Sequence, residues 1–392
     1  MLDALVVGAG PSGSRTAWNL SKAGYETALI DRVEVIGEPC QCAGLITPRT
    51  FDYLGYKRPI LQEMDGARLW GPKESYLDFQ ASETKALVID RPDLDRSIAN
   101  KAADSGSQLL SGHTYLGHEK IEGGIKAKIK NKDGKFEIKA KLLVGSDGPL
   151  SRVAKNAGIR SSREVLTAFG ADVEGYQGKE SHVDLFVGSD LAPRFFGWGI
   201  PTGPNEGRIG LATTLPHRPM SFFRNYFKKG APSKLLGGAK VVNLISGMIP
   251  FGTANPSYTD NVILTGDAAG MAKPTSGGGI YSGLISADAA FEIADKAFES
   301  ERLDSQTLSP YQGLLKQRIG GELSKGYHLR KAFLSLNDEQ LSEIITMLGE
   351  PKVKRAIEKT GDLDYASLAA FSVLKAQPKF IKFAPLLLKP FI

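Results

Sequence analysis

The sequence predicts an α/β protein built on a Rossmann-like dinucleotide-binding unit, and three observations predict it. The chain opens with an apolar run, three glycines spaced G-x-G-x-x-G follow, and an acid closes the next apolar run. Leu5–Val7 reads as a buried strand, followed directly by Gly8-Ala9-Gly10-Pro11-Ser12-Gly13. Residues 12–23 carry the apolar spacing of a helix that stops at Gly24. Gly8 allows a tight turn, Gly10 lets a pyrophosphate approach the backbone, and Gly13 lets the helix lie close on the strand. The free N–H groups of that helix then point at phosphate. Asp31 stands 18 residues after Gly13, at the end of a second strand, Thr27–Ile30. There a carboxylate accepts from the ribose hydroxyls of an adenosine and repels a 2′-phosphate, which favours FAD or NAD over NADP. Arg32, beside it, is counted in the same binding set.

Three later stretches favour FAD. Arg91-Pro92-Asp93-Leu94-Asp95 opens a helix after the strand Ala86–Ile89, with proline early and acids in the first turn, leaving Arg91 free to reach a phosphate. Leu142-Leu143-Val144-Gly145-Ser146-Asp147-Gly148, with Ser151-Arg152 behind it, is a buried strand ending in a tight acidic turn at the pyrophosphate. Val262–Ala269 repeats the arrangement, and its Asp267 is placed to accept from a ribityl hydroxyl. Pro274-Thr275-Ser276-Gly277-Gly278-Gly279-Ile280 then starts a long helix whose amides face the N1–C2=O edge of a flavin.

The organisation follows from these positions. Residues 1–55, 86–160 and 255–300 form a discontinuous FAD-binding domain. Residues 56–85 and 161–254 form a substrate domain, in which alternating residues in Thr167–Val173, His182–Val187, Phe195–Pro201 and Arg208–Thr214 predict an antiparallel sheet walling a cavity. Residues 301–392 form a helical region, with periodic apolar residues in Tyr311–Leu323, Gly326–Leu336, Glu339–Leu348 and Tyr365–Lys375.

Composition narrows the partners. The 392 residues suffice for two or three structural units, and 42% hydrophobic residues with 44 glycines suit a turn-rich α/β protein. A net charge of +6, from 49 basic and 43 acidic residues without an aromatic-interleaved basic run, predicts no nucleic-acid partner. Two cysteines, Cys40 and Cys42, are too few for an exported disulfide scaffold, and no histidine set completes a metal site. No charged leader with an apolar stretch precedes the nucleotide motif, so a cytoplasmic protein is expected. The tail Phe380–Ile392 is apolar, carries lysines and is broken by proline. It suits peripheral contact with an anionic membrane face rather than a span, or packing on the body.

Two further segments carry a resemblance. Ile36-Gly37-Glu38-Pro39-Cys40-Gln41-Cys42-Ala43-Gly44-Leu45 resembles a flavin-facing loop with a proline, a cysteine and a small residue. Phe196-Gly197-Trp198-Gly199-Ile200-Pro201, with Gly210-Leu211-Ala212 downstream, resembles an aromatic-x-Trp-x-Phe-Pro signature followed by GxG. With the nucleotide motifs, these make nearly the whole chain similar to the p-hydroxybenzoate-hydroxylase-like flavoproteins, and within them to the archaeal geranylgeranyl reductases. Ile200, Ala212 and Ala43 depart from that pattern but keep the surface apolar.

The resemblance implies a membrane-associated, FAD-dependent reductase of lipid biosynthesis that hydrogenates isolated C=C bonds of geranylgeranyl phospholipids, fed by NAD(P)H or a ferredoxin. It places Cys42 and Ala43 at the flavin and gives Cys42 a part in proton delivery, against a merely structural thiol; Tyr281 is a second conceivable donor. Phe195, Phe196 and Trp198 would line an isoprenoid channel or pack in the core. An aromatic hydroxylase shares the same frame. A flavin halogenase carries Trp-x-Trp-x-Ile-Pro where this chain has Phe196, and a non-redox isoprenoid cyclase is the third alternative.

Overall fold

The computed structural model describes residues 1–55, 59–160 and 164–383. Strand β1 (Leu2–Val7) lies inside an eight-stranded sheet, parallel to Gly134–Gly145 on one side and to β2 (Thr27–Ile30) on the other. Gln108–Leu110 extends the sheet beyond β2, and Val262–Leu264 extends it beyond Gly134–Gly145, both in parallel register. The inner residues of these short strands, Ala4–Val7, Ala28–Ile30 and Val262–Leu264, are apolar and buried because helices cover both faces of the parallel part. Thr114–Ile121, Gly124–Asn131 and Gly134–Gly145 form an antiparallel meander. In it Ile125, Ala127 and Ile129 are buried, while the lysines between them reach outward.

Helix α1 (Pro11–Lys22) leaves the tip of β1 and packs against the long helix Ile280–Glu299 and against Arg91–Asp104. Gly8 takes φ +104°, and a Cβ there would lie 2.3 Å from the Ser146 carbonyl oxygen. A Cβ on Gly13 would lie 1.9 Å from the Gly8 carbonyl oxygen. Glycine is therefore required at both positions for the helix to cross the strand this closely.

The second sheet has seven strands, in the order Lys240–Phe251, Glu164–Glu174, Glu206–Thr213, Gly197–Gly203, His182–Phe186, Gly66–Trp70, Tyr76–Gln80. All its pairings are antiparallel except that between His182–Phe186 and Gly66–Trp70. The expected strand Phe195–Pro201 begins later, at Gly197, because Arg194 takes φ 68° and Phe195 N–H closes a turn onto the Ala192 carbonyl. Phe195 and Phe196 therefore stand on the approach to the strand, with their rings stacked at 4.2 Å.

The C-terminal region differs from expectation in two ways. Pro310–Leu315, a wide turn at Lys316–Gly320 and Gly321–Leu334 form one continuous helical run instead of two helices. Pro351–Thr360 is an additional helix between Asp338–Leu348 and Ala366–Ala376. Val353, Ala356 and Ile357 share one face of it at helical spacing and Val353 is its one buried side chain, so the signal was present in a short, highly charged stretch and was passed over. Arg330 ties this region to the second sheet. Its guanidinium is 2% exposed, holds Glu164 through two hydrogen bonds (3.0 and 2.7 Å), donates to the Arg194 carbonyl (3.1 Å), and lies over the Phe195 and Phe251 rings.

The helix crossing yields a stability prediction. Gly13→Ala lowers the unfolding free energy of the apoprotein by about 1–3 kcal/mol through the enforced clash. Gly10→Ala, whose Cβ would meet nothing within 4 Å, leaves it unchanged. Urea denaturation of both variants checks the difference.

Candidate active site

One cavity of about 1510 Å³ runs from the tip of β1 to the inner face of the seven-stranded sheet. At its nucleotide end, the N-terminus of α1 carries no capping side chain, which leaves first-turn N–H groups without a local acceptor from a cap. Gly10 lines the cavity, and the space where its side chain would stand is open. Asp31 also lines it, with one carboxylate oxygen accepting from Ala9 N–H (2.6 Å) and the other from Val33 N–H (3.1 Å). These bonds fix the carboxylate and leave lone pairs for a ribose diol. Gly8 and Arg32 line the same end, whereas Gly13 lies behind it, where α1 packs against the turn at Gly8.

Arg91 is paired instead of standing free as expected. Its guanidinium is clamped by both oxygens of Asp95 (3.0 and 3.1 Å), one helical turn away, although it still borders the cavity. Asp147 lines the cavity too, but its oxygens are committed to Ser151 Oγ (2.5 Å) and to the amides of Arg152 (2.6 Å) and Val153 (3.1 Å), capping the short helix that follows. Burial raises its carboxyl above the usual range, against those bonds.

Asp267 presents a different case. Among the described residues no donor reaches its side chain, and burial pushes its carboxyl up to about 6, opposed only by the Arg91 charge. Asp267 is half-buried and borders the cavity, so its carboxylate keeps acceptor capacity on that side, and the hydroxyls of a ribityl chain are donors of the required kind. The open space at Gly10, the uncapped N-terminus of α1 and Asp267 together fit FAD. Gly277, Gly278 and Gly279 border the cavity at the start of Ile280–Glu299, a helix with no side-chain cap, and Ile280 follows them into it.

The apolar end adjoins this turn. A Cβ on Gly277 would lie 3.4 Å from Cζ of Phe195. Phe196 and Trp198 continue the wall, their rings 6.4 Å apart, and Gly210 has no side chain where the indole passes. Leu185 and Val187 lie on the strand region the sequence assigned to the wall, and Leu69 and Phe79 extend the wall beyond the strands it indicated. Period-2 alternation in Gly66–Trp70 and Tyr76–Gln80 was the available signal.

Cys42 and Ala43 border the cavity. The Cys42 thiol accepts from Gly44 N–H at 3.4 Å, whereas Cys40 donates to the Cys42 carbonyl and its thiol is pushed up by burial. Arg208 holds this loop by donating to the Ala43 carbonyl (3.1 Å) and to Asp172 (2.6 Å). Tyr281 lies at the cavity edge, and burial raises its phenol. The sequence reading missed one further group, Lys273 with Asp364, Thr47 and Arg49. Lys273 was visible as the residue before Pro274; Asp364 carried no local signal.

A family model described as an FAD binding domain matches residues 1–202. The chain belongs to that family. It is 29% identical to an uncharacterised protein of Methanocaldococcus jannaschii, with 95% of each chain covered, and 28% identical to digeranylgeranylglycerophospholipid reductase 1 of Methanothermobacter thermautotrophicus, covering 88% of this chain and 89% of that one. The crystal structure of a geranylgeranyl bacteriochlorophyll reductase-like protein from Thermoplasma acidophilum shares the fold, with a TM-score of 0.88 at 23% identity over 98% of this chain and 99% of that one.

Asp267 yields a prediction with a sign. Its folded value of about 6 lies above the unfolded value of roughly 3.9, so the native state holds the proton more tightly. Apoprotein stability therefore falls as pH rises between those values. Asp267→Asn removes that slope and makes the apoprotein about 2–3 kcal/mol more stable than the parent at pH 7.5, an advantage that vanishes near pH 4. Asp267→Ala weakens FAD by about 1.5–3 kcal/mol. Urea denaturation at the two pH values and fluorescence titration with FAD measure these effects.

Proposed function

We propose that the protein is an FAD-dependent reductase that adds two hydrogens across isolated C=C bonds of a geranylgeranyl chain carried on a glycerophospholipid. The observation carrying this reading is the continuity of one cavity, from the nucleotide turns through the Gly277–Gly279 turn to an aromatic and aliphatic wall. The substrate named for the digeranylgeranylglycerophospholipid reductases similar to this chain has the chemistry of that wall. An isolated alkene offers no carbonyl to polarise, so a protein assists by alignment, by excluding water and by supplying a proton. Reduced FAD supplies the hydride when bound.

The chain's own residues supply the rest. Gly8, Gly10, Asp31, Arg32, Asp267 and Gly277–Ile280 hold the cofactor, while Asp147, capping the helix behind it, and Arg91, paired with Asp95, shape the wall beside the Cys42–Ala43 loop. Phe195, Phe196 and Trp198 align the chain, and at about 0.8 kcal/mol per buried CH₂ such a wall binds a long isoprenoid with few polar contacts. Cys42 faces the ring and influences proton delivery. Electrons come from NAD(P)H or a ferredoxin.

The lipid partner also suits a surface beside the cavity. On the helix Ala366–Ala376, Leu368 (55%), Phe371 (70%) and Leu374 (42%) are exposed at a spacing of three, with Ile381 (69%) beyond them. Lys375, Lys379 and Lys382 belong to the same stretch, Lys382 paired with Glu343, and Asp362–Asp364, just before this helix, border the cavity. Exposed apolar side chains with lysines among them match an anionic bilayer interface. Of the tail expected to touch a membrane, residues 384–392 lie outside the described residues. Among the described residues no helix is long and apolar enough to cross a membrane.

Anaerobic turnover with dithionite and a geranylgeranylated phospholipid, followed by mass spectrometry, tests the reaction. A gain of two hydrogens per double bond is expected. A gain of one oxygen by an aromatic compound in air would replace the reading with a hydroxylase, and an unchanged product mass with a cyclase. Trp198→Ala is expected to lose more activity on the geranylgeranyl lipid than on a short prenyl alcohol.

Co-sedimentation tests the surface. Binding to anionic vesicles is expected to exceed binding to zwitterionic ones and to drop at least tenfold in Phe371→Asp; equal binding by parent and variant excludes this helix.

A further inference from the structure

The mechanism so far makes no use of the buried cation in the glycine turn. Lys273 is 7% exposed and borders the cavity, and its ammonium pairs with Asp364, itself 1% exposed. Asp364 also accepts from Thr47 Oγ1 (2.5 Å) and from Arg49 (3.3 Å), while Arg49 forms its closer pair with Asp362 at 2.8 Å. The Lys273 ammonium lies 3.4 Å from the point a Cβ on Gly278 would occupy, and the Lys273 backbone closes the turn in both directions, donating to the Gly278 carbonyl (3.0 Å) and accepting from Gly277 N–H (2.8 Å).

Burying an ammonium and a carboxylate costs several kcal/mol of desolvation each, and an apolar pair of the same volume would tie the C-terminal region to this turn at least as firmly. Stability alone therefore gives no reason for a charge here. The same turn starts the helix Ile280–Glu299, whose N-terminus carries partial positive charge and no capping side chain. Two sources of positive potential thus converge on the turn assigned to the ring end of FAD. Asp267, on the other side of Gly279, faces the ribityl position.

We propose that Lys273, held in place by Asp364, is the cation that faces the N1–C2=O edge of the bound flavin and favours its reduced form. Uptake of two electrons and one proton leaves one net negative charge on the ring, and a nearby fixed cation binds that state more tightly than the neutral oxidised one. Asp364 orients the ammonium and tempers its charge. This inference rests on the FAD assignment and is independent of the substrate.

The test compares the FAD-reconstituted parent with Lys273→Met, Lys273→Arg and Asp364→Asn, measuring oxidised-FAD affinity by titration and midpoint potential by dye-coupled equilibration with dithionite. Lys273→Met is expected to bind oxidised FAD within about threefold of the parent and to lose at least tenfold in preference for reduced over oxidised FAD. That loss is a fall of about 30 mV for a two-electron couple. Lys273→Arg retains the parent potential, and Asp364→Asn raises it by unmasking the ammonium. An unchanged potential in Lys273→Met, or shifts of the same sign in Lys273→Met and Asp364→Asn, overturns the proposal. If Lys273→Met fails to fold or to take up FAD, the Asp364→Asn potential decides, because a fall or no change there overturns it equally. A parent protein that takes up no FAD overturns the cofactor assignment itself, an outcome distinct from an unmoved potential.

Discussion

Helix α1 can cross the tip of β1 only because neither Gly8 nor Gly13 carries a side chain, and the rest of the site depends on that crossing. With the helix lying this close, Ser12 reaches the long helix and donates its hydroxyl to the Gly283 carbonyl at 3.0 Å. Arg15 and Asn19 then reach Asp288 on the same helix (2.7 and 2.6 Å). Two strand–turn–helix units, one opening the chain and one beginning at Val262, are thereby locked side by side. Their helices share an interface of small residues, Ser12 against Gly266 and Gly283. Both helices begin at the same cavity, so the positive ends of both dipoles serve one ligand.

That arrangement explains where polar burial is tolerated. Most buried polar groups here are satisfied locally: Asp184, fully buried, accepts from Arg68, Trp70 and Tyr176, and Asp147 takes three donors from the residues that follow it. Among the described residues Asp267 is left without a donor, and Lys273 with the single counter-ion Asp364, at the two sides of one glycine turn. A fold optimised for stability alone would neutralise both positions. Their retention at the cavity wall is what a binding site looks like when part of its energy is released only on occupancy.

Much of the nucleotide end was legible in the sequence, because backbone sterics dictate it. A strand feeding a helix this tightly demands glycine at positions 8 and 13, and the acid ending β2 is placed by strand length. Asp267 was legible for the same reason, as part of a second strand and turn. The pairing of Arg91 went unread although the signal was present: Asp95 stands four residues on, where a helix makes the two side chains neighbours. The Lys273–Asp364 pair was out of reach because 91 residues separate the partners and no local rule predicts which loop will meet the glycine turn. Phe195 and Phe196 border the cavity and pack in the core beside it, but on the approach to the strand rather than within it, since a left-handed Arg194 looks no different in sequence from a residue within a strand.

The apolar wall and the cysteine loop are also less independent than their separation along the chain suggests. Arg208 sits on the strand Glu206–Thr213, next to the strand that carries Trp198, and its guanidinium bridges Asp172 on the opposite neighbour to the Ala43 carbonyl. The loop bearing Cys42 is thus fastened to the sheet that presents the aromatic wall, close to Gly44, whose φ of +70° turns the chain back into Leu45–Ile46. Arg208 therefore sets the Cys42–Ala43 loop against the sheet that carries Trp198, so two stretches far apart in the chain border one cavity in a fixed relation.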